Sequence, residues 1–171
     1  MSNKPGRAAP DPYSLPKSFG YAASGILHAL LHERNLRIDF AAAAYIWYFS
    51  RYYDLGRTEC ALLVLMMGFV IACELINTAI ENTVDLETPV YRSLAKIAKD
   101  VAAGAVLVSA FACVAAGWFL FWDMPTFARI GEDLRQNAFA AVLCALLTLF
   151  WVWLPMKAPK NHPEYPRGKR G

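Results

Sequence analysis

The stretch ELINTAIENTVDL, Glu74 to Leu86, decides how this chain folds and what it does. It ends an apolar run that starts near Glu59 and extends from Ala61 to about Asp85. Wound as a helix with Glu74 at zero, it places Asn77 at about −60°, Glu81 at about −20°, Asp85 at about +20° and Thr78 at about +40°. Five polar groups, three of them carboxylates, thus share one narrow stripe over three turns. Ionisable groups inside a membrane are costly and face a bundle interior or a polar cavity. Stacked acids repel unless a cation lies between them, and oxygen ligands select hard ions such as Mg²⁺.

The rest of the chain puts this stripe in a bilayer. Of 171 residues, 57% are hydrophobic and 18% charged, against ~45–50% and ~25% in soluble domains. Residues 101–122 and 136–156 hold no charge for 22 and 21 positions, which matches the ~20 residues a helix needs to cross hydrocarbon. A shorter uncharged run of 11 residues, Phe40–Ser50, makes a crossing if Arg37 and Arg51 snorkel to the interfaces. Upstream, Phe19, Ala22, Ala23, Ile26, Leu27, Leu30 and Leu31 recur at helical spacing between Lys17 and about Arg37, which predicts an amphipathic helix on the membrane surface. The fold class is therefore an all-α integral membrane protein: an amphipathic surface helix, three core transmembrane helices and a fourth, C-terminal one. The divisions are a flexible tail (1–16), a membrane domain (17–122), a polar linker with the extra crossing (123–156) and a basic disordered tail (157–171).

Charge orients the layout. Residues 1–37 carry five Lys or Arg, the 86–100 loop three and the C-terminal tail five, whereas the two opposite loops carry two each. Four crossings with both termini in the cytoplasm of a bacterial cell satisfy the positive-inside rule. A net charge of +3, dispersed along the chain, excludes nucleic acid as a partner. The four cysteines are isolated and lack zinc-ligand spacing, so they read as packing residues. No apolar segment beside a cleavage site marks a secretory signal before Lys17. The His28, His32, Glu33 cluster has the wrong order for a zinc protease helix. Gly20 and Gly25 have P-loop spacing, but Ile26 and Leu27 replace the phosphate lysine and the metal-binding hydroxyl.

Stacked acids near the cytoplasmic interface, followed by Lys96, Lys99 and Asp100, suggest phosphoryl transfer to a lipid hydroxyl. Glu74, the deepest carboxylate, is the candidate general base. The bland alternative is a polar seam that holds helices together. A competing function is a non-enzymatic proton or cation pathway over the same acids. It would want an acidic partner deeper in the third or fourth crossing, and neither contains one.

The motif E-L-I-N-T-A-I-E-N-x-V-D, followed by A-K-I-A-K-D-x-A-A-G-A-V-L from Ala95, resembles the prokaryotic diacylglycerol kinase family, which includes undecaprenol kinases. The upstream S-F-x-Y-A-x-x-G-I from Ser18 and H-E-R-N-x-R-I from His32 match as well, so the similarity runs from Phe19 to Leu107. The resemblance implies an ATP-dependent lipid kinase that acts on undecaprenol or, alternatively, diacylglycerol, with the inner positions favouring undecaprenol. It implies Glu74 as catalytic base and Glu33 and Glu81 as ligands of Mg²⁺ and ATP. Lys99 and Asp100 become a nucleotide-binding pair and Tyr21 a nucleotide contact. Asn77 sits beside the reacting groups, and Asp85 is a supporting carboxylate. It also implies a homotrimer with sites between subunits. Val90 and Arg92 depart from the family's acidic residue and His around Tyr91, and the segment from Asp123 onward has no counterpart in a three-crossing pattern.

Overall fold

The computed structural model describes residues 15–87 and 93–153, and these are helical almost throughout. Six helices follow in order: α1 (Leu15–His32), α2 (Arg34–Ser50), α3 (Arg57–Glu87), α4 (Ser93–Phe121), α5 (Met124–Gln136) and α6 (Ala138–Trp153). Residues 1–14 of the expected N-terminal tail, residues 154–156 of the expected fourth crossing, the expected C-terminal tail (157–171), and the Val90 and Arg92 departures lie outside the described residues.

The two long helices, of 31 and 29 residues, reach about 45 Å and are each long and apolar enough to cross a membrane. They pack on one another along their length, and Cys113 Sγ of α4 meets the Met66 carbonyl of α3 at 3.4 Å. α2 and α6 are shorter, 17 and 16 residues, or about 25 Å each. α2 packs on α3 on one side and α6 on the other. Burial runs opposite to that of a soluble domain. The buried set holds Ala29, Leu36, Leu63, Ala102 and Val152, but also Arg37, Glu74, Asn77, Thr78, Ser109 and Thr126. Leu65, Val108, Phe119, Phe139 and Phe150 face outward. Hydrocarbon solvates apolar side chains as well as the protein interior does, so the interior is left to polar groups that need partners.

Several boundaries differ from the sequence expectation. The surface helix starts at Leu15, inside the expected tail, with Pro16 in a first turn that does not need its missing N–H. It ends at His32, five residues before Arg37, because Glu33 is extended (φ −99°, ψ 117°) and starts α2. The third crossing begins at Ser93, so Lys96, Lys99 and Asp100 belong to the first two turns of α4 instead of a loop. The polar link after Asp123 is itself a helix. Asp123 accepts a bond from the Thr126 N–H at 3.0 Å, Pro125 occupies the first turn, and the capping bonds hold the Asp123 carboxyl below its ordinary range. That support is present at neutral pH and is lost as pH falls through the depressed value. α5 then meets α6 at 93°, which brings it across the end of the bundle.

Candidate functional site

The break at Glu33 shapes the site. Two consecutive helices of different direction need one non-helical residue between them. Glu33 fills that role with a side chain that makes no capping bond of its own, so its carboxylate is available to the bundle. Four residues earlier, the Ala29 carbonyl accepts the Glu33 N–H at 2.7 Å and closes α1.

α3 supplies the polar stripe as one face. Glu74 is 2% exposed and Asn77 and Thr78 7% each; Glu81 is half-buried and Asp85 exposed. The stripe therefore starts inside the bundle and emerges towards the end of α3. Asn77 Nδ2 donates to Glu81 Oε1 at 3.1 Å and holds that carboxylate about two turns beyond Glu74 on the same face. Asn77 Oδ1, on the same amide, is buried without a hydrogen-bond partner.

Around Glu74 the structure gathers the Asn35 amide and the carboxylates of Asp39, Glu81 and Glu33, all close enough to act on its charge. Glu33 and Glu81, nominated from the sequence with Glu74, thus both act on it, although the α1–α2 joint and α3 contribute them separately. Asp39 and Asn35 are additions. They stand four residues apart on one face of α2, a signal present in the sequence but hidden when the crossing is started at Phe40. Asp39 also borders an apolar cavity of about 270 Å³, with Ala43, Leu63, Met67, Ala110 and Gly117 among its walls. Asp39 Oδ2 is buried and unbonded.

At the open end, Lys99 Nζ of α4 pairs with Asp85 Oδ1 of α3 at 2.6 Å, the side chains 33% and 68% exposed. A pair this exposed contributes ~0.2–1 kcal/mol, so a phosphate can displace the carboxylate. Asp100, the next residue of α4, is exposed, and Tyr21 lies on α1, 63% exposed.

The donor set suits a hard divalent ion. Among the described residues none of Glu33, Asp39, Glu74 and Glu81 is in a salt bridge, and a buried amide oxygen stands unpartnered beside them. Among the described residues no three His, Cys, Asp or Glu side chains form a ready-made metal cage. Mg²⁺ ordinarily uses one or two carboxylates and fills its other positions with phosphate and water.

Comparison with known proteins places the chain by its overall similarity. The profile of the prokaryotic diacylglycerol kinase family matches residues 20–121. Undecaprenol kinase of Bacillus subtilis is 41% identical over 105 residues, 61% of this chain and 85% of that protein. Diacylglycerol kinase of Synechocystis sp. is 42% identical over 105 residues, 61% of this chain and 60% of that protein. Diacylglycerol kinase of Escherichia coli K12 is 28% identical over 107 residues, 63% of this chain and 88% of that protein. Each match covers less than two thirds of this chain, and the family match ends at the last residue of α4.

Proposed function

The chain belongs to the prokaryotic diacylglycerol kinase family and is a membrane lipid kinase. From that premise we propose that it moves the γ-phosphate of ATP to the hydroxyl of undecaprenol, with diacylglycerol as the alternative acceptor. The observation that carries the mechanism is the burial of Glu74 among Asn35, Asp39, Glu33 and Glu81, at the inner end of a stripe that opens towards Lys99.

Glu74 takes the proton of the lipid hydroxyl as its oxygen attacks the γ-phosphorus, and ADP leaves with the bond to the bridging oxygen. Glu33 and Glu81 are the carboxylates that would hold Mg²⁺, which would neutralise phosphate charge when bound. Asn77 fixes Glu81 and keeps a second, unpartnered oxygen beside it. Lys99 exchanges Asp85 for a phosphate oxygen, Asp100 and Tyr21 bind the nucleotide, and Asp85 supports Lys99. The first few carbons of the acceptor's chain fit the apolar cavity beside Asp39 and the rest stays in the bilayer, so that its hydroxyl reaches the carboxylates from within the membrane.

The basic residues around this end of the bundle support a cytoplasmic site in the bacterial cell membrane, where ATP is available. Labelled ATP added to inside-out vesicles should produce phospholipid, and added to sealed right-side-out vesicles it should not. Chelation of Mg²⁺ should stop the reaction. Undecaprenol and diacylglycerol offered side by side decide the acceptor: a kcat/KM at least tenfold higher for diacylglycerol would refute the undecaprenol assignment. The family resemblance supports a homotrimer, and the native mass in mild detergent should equal three chains.

A further inference from the structure

Helix α6 lies outside the family match, which ends at residue 121, yet it is bound to the part of the chain that carries Glu33. Arg37, 5% exposed, donates from Nη1 to the Leu31 carbonyl at 2.9 Å and from Nη2 to the Val152 carbonyl at 3.2 Å. The Leu31 carbonyl belongs to the last turn of α1, where helix oxygens have no partner in their own helix, and Val152 to the last described turn of α6. One guanidinium therefore caps α1, its positive charge facing the negative end of that dipole, and ties α6 to the same point. Three residues earlier the Arg34 guanidinium stacks over the Trp153 ring, 5.0 Å from its centroid. Glu33 immediately precedes Arg34. The contact continues along α2, where Tyr45 Oη bonds Thr148 Oγ1 at 2.8 Å. Tyr52 bonds Asp133, and Arg129 Nη2 donates to the Tyr52 carbonyl at 3.4 Å.

We propose that the α5–α6 segment is a brace for the α1–α2 joint, with Arg37, Arg34 and Trp153 acting as positioning residues that hold Glu33 in its nucleotide-binding place. Glu33 has no capping bond, and its extended backbone is the link between α1 and α2. Its direction is set by whatever holds the first turn of α2 against the rest of the protein. The far end of α6 does so through two cations that share the job. The segment touches neither the lipid acceptor cavity nor Glu74, so its effect falls on the nucleotide.

This proposal rests on the assignment of Glu33 to the nucleotide, and its test separates the two. Full-length protein in lipid nanodiscs is compared as Arg34→Ala, Trp153→Ala, the double variant and Trp153→Phe. Each alanine variant should raise the KM for magnesium–ATP about two- to tenfold, the scale of one cation–π contact, with the lipid KM unchanged. The double variant should match the singles, and Trp153→Phe should recover most of the parent value. Amide hydrogen exchange at residues 33–37, measured without nucleotide, should quicken in the alanine variants. Unchanged exchange overturns the brace. So does a double variant whose effects multiply, or an effect confined to the lipid KM. Glu33→Gln is the separate control: an unchanged KM for magnesium–ATP there refutes the Glu33 assignment, while the exchange measurement still decides whether α6 braces the joint.

Discussion

Glu74→Gln should abolish lipid phosphorylation, with kcat lower by about 10²–10⁴-fold, the usual contribution of a positioned proton acceptor. The amide has nearly the shape of the carboxylate but cannot accept the hydroxyl proton. Its effect on the fold should run the other way. Glu74 is 2% exposed and within reach of the charges of Asp39, Glu81 and Glu33, so a neutral side chain there relieves repulsion and removes a desolvated charge. Thermal unfolding in detergent should therefore begin no lower than in the parent. The two measurements together separate a lost base from a lost fold. A Gln variant that is stable and fully active would remove Glu74 from the chemistry.

The second large effect is expected at Glu81. Glu81→Gln should lower kcat/KM for magnesium–ATP by about 10²–10³-fold, as for loss of a preorganised charge at a transferring group. Asn77 Nδ2 now points at Glu81 Oε1, and a glutamine amide can still accept that bond through its oxygen. Neighbouring geometry is thus retained while the charge is lost. The KM for the lipid should be unaffected, because the cavity proposed for the acceptor borders Asp39 and not Glu81. A steady-state titration of each substrate separately checks this. A fall in lipid affinity with unchanged nucleotide kinetics would place Glu81 on the wrong substrate.

Much of the candidate site is legible in the sequence because it repeats with the period of one helix. Glu74, Asn77, Thr78, Glu81 and Asp85 are brought onto one face by backbone geometry alone, and α3 does place the first three in the interior. Asn35 and Asp39 stand outside that stripe, on α2. Charged residues next to an apolar run look like interface residues until the start of α2 is known, and that start depends on a single extended residue, Glu33. The Lys99–Asp85 pair was equally hidden, since Lys99 looked like a phosphate ligand and nothing local shows that α4 turns it towards α3. The polarity of 124–136 marks it as a link between crossings and masks its amphipathic helical pattern.

Sequence alone determined that this is an all-helical membrane protein with acids stacked on one face and a lipid kinase motif around them. Apolar run length, charge asymmetry and helical period are properties of single segments, and no partner is needed to express them. Tertiary structure alone decided which helices close around Glu74, that Lys99 rests on Asp85, and that α6 meets Arg34 and Arg37 beside Glu33. These depend on contacts between residues as much as 115 positions apart, whose pairing follows from how whole helices pack and leaves no periodic trace in either segment.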